Sequence, residues 1–207
     1  MARTPKAVED RKEQILDAAM RVFAQKGFTR ATNKDIAREA GITPGLIYYY
    51  FESKEAVFKE IVEQRSPLQL IGTFTKEMLA MPPEQFLRYF IERVLGIIEG
   101  EQFIGMIRVL LPEMMHDVDS ASSQVVQTAR GVFQRIVMFL SSYLEAKMAG
   151  GALKHDDAQL AAQLLFSSLI GFLMRRQILR DATVVDLTHE QIADVITNAV
   201  INSMASR

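Results

Sequence analysis

A chain of 207 residues, 49% apolar and 24% charged, is long enough to bury one large or two small cores and is ordinary for a globular protein. It contains no cysteine, which excludes a disulfide framework and a thiolate metal site and gives no sign of secretion. The net charge of −1 argues against a general nucleic-acid binder, yet residues 1–54 hold ten Lys/Arg against seven Asp/Glu, a local excess of +3 that leaves −4 for the rest.

The first stretch, MARTPKAVEDRKEQ, lacks the apolar core of a signal peptide, and residues 1–9 read as a polar tail. No run approaches the roughly 18 uncharged apolar residues of a membrane span, so a cytoplasmic chain with no membrane partner is expected. Residues 10–26 place Ile15, Ala18, Ala19, Val22 and Phe23 at helical spacing, and Gly27 ends the helix. Phe28 is expected to fill the same small core.

Residues 32–54, TNKDIAREAGITPGLIYYYFESK, predict two short helices joined by a tight turn and followed by the start of another. Thr32 is placed as an N-cap with Asp35 as its capping-box partner, and Gly41 supplies the left-handed residue that stops the helix. Thr43 is expected to cap the second helix, with Pro44 at its first position. Leu46, Ile47 and Tyr50 turn inward, whereas Tyr48 and Tyr49 point elsewhere, since three consecutive tyrosines cannot share one helix face. Such a unit sets the N-terminal end of its second helix into the DNA major groove.

Onward, Ser53 is expected to cap a helix with Ala56, Val57, Phe58, Ile61 and Val62 buried, continuing to about residue 79 with a kink at Pro67. Further helices are predicted at 83–99, 103–116, 120 or 122 to 148, 157–179 (capped by Asp156) and 189–205, the last opened by a Thr188/Gln191 capping box. No segment offers a strand with a pairing partner. About nine helices and no sheet predict an all-α protein.

The amphipathic first helix ending in FAQKGF, then TRATNKDIAREAGITPGLIYYYFESKEAVF with its run Ile47 to Phe51 and Lys54, resembles the DNA-binding domain of the TetR family of bacterial transcriptional regulators over residues 11–60. The resemblance implies an N-terminal three-helix helix-turn-helix domain, residues 1–54, and a C-terminal helical effector-binding and dimerisation domain, residues 55–207. It places Thr43, Pro44, Gly45, Leu46, Tyr48 and Tyr49 at the major groove and its flanking phosphates. Thr32, Lys34 and Lys54, at helix starts, are suited to phosphate contact. The recognition helix carries no Arg or Asn for a bidentate base contact, so DNA shape should matter more than direct readout.

The resemblance also implies an effector cavity among the middle helices. Phe103, Met106, Met114, Met115, Phe133, Met138, Phe166, Phe172 and Met174 are candidate apolar lining, with Arg108, Glu113, Gln134, Arg175 and Arg176 as polar anchors, although a Met- and Phe-rich stripe is more often plain core. The last two long helices would expose Leu160, Leu164, Leu165, Leu169 and Phe172, and Ile192, Val195, Ile196 and Val200, in a monomer; a four-helix bundle with a second copy would bury them.

His116, Asp117 and Asp119, and His155, Asp156 and Asp157, could be offered as metal or catalytic groups. Helix termini explain their spacing better, and no metal or cofactor is expected. The expectation is a homodimeric, ligand-responsive repressor that binds double-stranded operator DNA and is released by a small, largely apolar effector. An apolar-ligand binding or scaffold protein is the first alternative, and an all-α enzyme the second.

Overall fold

A computed structural model of the chain describes residues 5–116, 124–154 and 156–204. Every regular element among them is helical: α1 (Pro5–Lys26), α2 (Asn33–Glu39), α3 (Pro44–Tyr50), α4 (Lys54–Arg65), α5 (Leu68–Ile71), α6 (Lys76–Ala80), α7 (Pro83–Ile98), α8 (Glu101–His116), α9 (Gln124–Ala149), α10 (Ala158–Leu173) and α11 (His189–Met204). A π-helical turn, Met174–Ile178, extends α10. The expected all-α architecture holds. The chain divides into two compact units, Met1–Arg65 with Glu101–Gly131, and Ser66–Gly100 with Val132–Arg207.

In the first unit α1 buries Ile15, Leu16, Ala18, Ala19, Val22 and Phe23, the positions its periodicity predicts, with Leu16 in addition. Gly27, at φ 77°, turns the chain so that Phe28 folds back onto the helix it has just left. The rings of Phe23, Phe28 and Phe58 then meet pairwise at 5.2–6.1 Å in tilted and edge-on arrangements. Truncating buried Phe58 to alanine should cost about 3–5 kcal/mol, since the ring meets both Phe23 of α1 and Phe28 of the turn after it. Helix α8 joins this unit, packing on α1 and α4 with Phe103, Met106, Val109 and Leu110 buried.

The expected long helix after Ser53 is interrupted rather than kinked. It ends at Arg65, and the chain resumes as α5 and then α6. Pro67 cannot donate a backbone hydrogen bond and instead sits at the N-cap of α5 in right-handed geometry. Gly72 ends α5 after one turn, and the Thr75 hydroxyl accepts from the Met78 N–H to start α6.

In the second unit α7 turns Phe86, Leu87, Phe90, Ile91, Val94, Leu95 and Ile98 inward. Phe74, Phe86, Phe90, Phe139 and Tyr143 form an aromatic cluster, with Phe74 stacked on Phe139 at 5.5 Å and Phe86 tilted against Tyr143 at 4.3 Å. Helix α11 packs along α7, burying Ile192, Ala193, Ile196, Thr197, Val200 and Ile201. The Thr188/Gln191 capping box forms in both directions, at 2.8 and 3.1 Å.

One expectation about composition needs correction. Residues 158–174 carry no charge, and Ala158–Ile178 is long and apolar enough to cross a membrane by length and composition alone, with a mean hydropathy of 1.3. A third of that stretch is buried inside the chain. The helix is apolar all round because it covers the unit's core on one side and keeps a second apolar stripe on the other.

Candidate DNA-reading site and the apolar face of the second unit

The reader is built by local capping. The Thr32 hydroxyl accepts from the Asp35 N–H at 3.2 Å, and the Asp35 carboxylate accepts from the Thr32 N–H at 3.2 Å, so α2 opens with its capping box closed. Lys26 reaches the same carboxylate at 2.6 Å. Hydrogen bonding from Lys26, then from the Thr32 hydroxyl, lowers the Asp35 pKa from 3.8 to about 2. At the other end Gly41 takes φ 64°, the Ile42 N–H donates to the Ala37 carbonyl at 2.9 Å and the Gly41 N–H to that of Arg38 at 3.2 Å. These two bonds satisfy carbonyls left over by the helix and aim the chain at α3.

Helix α3 departs from expectation at its start. Thr43 holds the N-cap backbone position but its hydroxyl makes no capping bond, so Pro44 and the Leu46 N–H to Thr43 carbonyl bond begin the helix. Ile47 is fully buried, whereas Leu46 and Tyr50 are only partly covered. Thr43, Pro44 and Gly45 are exposed, and Tyr48 and Tyr49 stand 60% and 72% exposed. Large aromatics so bare on a rigid seven-residue helix suit an outside partner better than a core.

Lys54 corrects the reading given to it. Its ammonium donates to the carbonyls of Phe28 (2.8 Å), Thr29 (3.0 Å) and Ala31 (3.1 Å) and lies 4.7 Å from the Phe28 ring centre. An ammonium has three N–H bonds, all used here, so Lys54 braces the α1–α2 turn and has no donor left for a phosphate. Lys34 is exposed on α2, and Arg38, which sequence reasoning passed over, extends from the same helix with its side chain 3.9 Å from Asp35.

The candidate effector residues do not converge as a set. Phe103 and Met106 are buried in the first unit, and Arg108 is exposed there. In the second unit Phe133 and Phe166 pair at 5.3 Å, Met174 is half-buried, and Gln134 and Met138 are exposed. The Met114 side chain lies outside the described residues, as do those of His116, Asp117, Asp119 and His155. Among the described residues no group of three His, Asp or Glu could hold a metal. Asp157, not Asp156, caps α10, accepting from the Leu160 N–H at 2.9 Å.

The candidate pairing face is narrower than expected. Leu165 and Leu169 of α10, and Ile192, Ile196 and Val200 of α11, are buried within the chain itself, because α11 spends that side of its apolar arc on its neighbours. Leu160, Leu164 and Val195 remain 57–63% exposed. Leu160, Leu164, Ser168 and Phe172 recur every four residues as one stripe. With Val195 and Ala199 they line a cavity of about 490 Å³ between α10 and α11.

A partly buried ionic cluster that sequence reasoning missed anchors the start of α11. Glu99 forms an ion pair with Arg176 at 2.7 Å and pairs with His189 at 2.9 Å. Arg176 also donates to the carbonyl of Leu187. The partners are 77 and 90 residues apart, and no local pattern announces them.

Comparison with known proteins agrees with this geometry. Residues 15–61 match the family described as bacterial regulatory proteins, tetR family, and residues 85–205 match the AefR-like transcriptional repressor C-terminal domain. The chain is 30% identical to the HTH-type transcriptional regulator AcrR of Shigella flexneri over 155 residues, 72% of this chain and 71% of that one. It is 27% identical to the HTH-type transcriptional repressor DhaR of Mycobacterium sp. (strain GP1) over 207 residues, 98% and 96% of the two chains. Its fold matches that of SmeT in complex with triclosan at TM-score 0.75 and 21% identity, covering 95% and 92%. A DNA-binding transcriptional repressor is the class these features define. The chain belongs to the tetR family of bacterial regulatory proteins.

Proposed function

We propose that two copies of this chain pair through the exposed stripe of α10 and Val195 of α11, and set their α3 helices into half-sites of a palindromic operator. The half-sites would lie about one helical turn, roughly 34 Å, apart. In this reading Thr43, Pro44, Gly45, Leu46, Tyr48 and Tyr49 meet the groove, while Thr32, Lys34 and Arg38 meet phosphates. A small, largely apolar effector in the C-terminal region releases the DNA, and SmeT bound to triclosan supports an effector of that kind. The functional division at residue 54 and a cytoplasmic location belong to the same reading.

The single observation that carries the DNA contacts is the bareness of Tyr48 and Tyr49 beside a fully buried Ile47. A mobility-shift titration against the DNA upstream of the protein's own gene tests it. A palindrome bound at least about a thousandfold above random duplex at moderate salt is expected. Equal affinity for both would remove operator recognition.

A further inference from the structure

Helices α1 and α2 are joined by a ladder of side-chain bonds that runs in opposite senses along the two helices. Lys26, at the end of α1, meets Asp35 in the first turn of α2 at 2.6 Å. Arg21 meets Glu39 at 2.6 Å, and the Gln14 amide donates to the Ala40 carbonyl at 2.7 Å. Each step back along α1 is thus a step forward along α2. Arg11, Gln14, Ala18 and Arg21 recur at helical spacing and share one face of α1. Arg11 is the next rung, about 4.5 Å beyond Gln14 along the axis. In this order it stands past the end of α2, on the side where the chain turns through Gly41 and Ile42 into α3.

The rungs differ in charge. Lys26 and Arg21 are each matched by a carboxylate. Arg11 instead donates to the side-chain oxygen of Gln14, a neutral group, and among the described residues it pairs with no carboxylate. A carbonyl only accepts and a guanidinium only donates, so one orientation of the Gln14 amide serves both, its N–H on Ala40 and its oxygen on Arg11. The guanidinium is therefore aimed but not neutralised, with donors of its planar fork to spare. We propose that Arg11 is a further phosphate-binding residue of the reader, gripping the DNA backbone beside the half-site that α3 enters, and that Gln14 is the positioning residue that aims it. A guanidinium fork matches phosphate oxygens, and such a contact adds affinity and register without sequence preference. The proposal rests on the reading of α3 as the groove-entering helix and extends the contact surface to α1.

Fluorescence-anisotropy titration of the full chain over a salt series tests it, against the palindrome from the upstream DNA and a random duplex of equal length. Arg11→Gln should reduce the slope of log affinity against log salt by about 0.9 for each bound copy, on both duplexes, with the melting temperature unchanged. Arg11→Lys keeps the charge and should restore most of the slope at lower affinity. Lys12→Gln makes the same change in net charge one residue away, on a neighbouring face of α1, and should do less. Gln14→Leu leaves every charge in place and should still lower the slope. Equal losses for Arg11→Gln and Lys12→Gln would reduce the effect to general electrostatics and overturn the proposal, as would a melting temperature that falls with Arg11→Gln. An unchanged slope in Gln14→Leu would remove Gln14 from the positioning role. A chain that binds both duplexes equally, with the slope reduced by Arg11→Gln, loses operator recognition and keeps the phosphate contact. One that selects the palindrome, with the slope unmoved by Arg11→Gln, keeps the reader and loses the contact.

Discussion

The ammonium of Lys54 donates to the carbonyl of Phe28 at 2.8 Å and lies over the ring of the same residue, 26 positions back in the chain. One side chain thus holds both the backbone and the packing of the turn that leads into α2. Lys54→Met should strand three carbonyl acceptors and lower stability by about 2–3 kcal/mol, read as a fall in the unfolding midpoint in urea. A phosphate-binding lysine behaves otherwise: its loss leaves the midpoint alone and reduces the salt dependence of operator binding by about one ion. The two measurements separate the roles.

Tyr49→Ala is expected to do the opposite. With 72% of the residue in solvent, truncation should move stability by no more than about 0.5 kcal/mol. Operator affinity should fall by at least about tenfold in a fluorescence-anisotropy titration at fixed salt. A melting temperature that drops with the affinity would place Tyr49 among structural residues.

Asp35 gives the reader a defined acid limit. Its folded pKa of about 2 lies below the unfolded value of 3.8. A group depressed in this way contributes stability that is fully present above about pH 4 and is lost as pH falls toward 2. Carbon-detected NMR of the side-chain carboxyl should show the low titration directly, and Lys26→Met should raise it, because Lys26 is the largest cause of the shift. An unchanged titration in that variant would leave Thr32 as the main determinant.

The exposed stripe of α10 should separate from the buried face of α11 under substitution. Leu164→Glu is expected to halve the sedimentation mass of the chain with little change in helical circular dichroism, since the residue is 60% exposed in the single chain. Ile196→Glu buries an unpaired charge beside α7 and should unfold the second unit instead. If Leu164→Glu leaves the mass unchanged, pairing through this stripe is wrong.

Features written within a few residues were legible in the sequence. Thr32 with Asp35, Gly41 after α2, Pro44 at the start of α3, and Thr188 with Gln191 each follow from one local rule of capping or backbone geometry. The periodicity of α1 named most of its buried positions because a helix facing one small core has a single inside. Lys54, Arg176 and His189 were misread or passed over because their partners lie 23 to 90 residues away, and a surface-like cation in a sequence does not reveal that it will close a distant turn. The face of α11 was misassigned for a related reason. Its apolar arc is wide enough for two neighbours, and only the fold decides which side α7 takes. The break after Arg65 was underestimated because Pro67 shows where a helix is disturbed but not whether it resumes.

Arg65, the last residue of α4, is buried and meets Asp17 of α1 at 2.5 Å and Glu13 at 3.8 Å. The final turn of α4 is therefore riveted to the helix that also carries α2 and the aromatic wedge. A displacement entering the chain at Ser66 cannot peel α4 away without first tearing a guanidinium from its carboxylates. Through Arg65, a disturbance of that final turn is felt at once in α1, the helix on which α2 also rests.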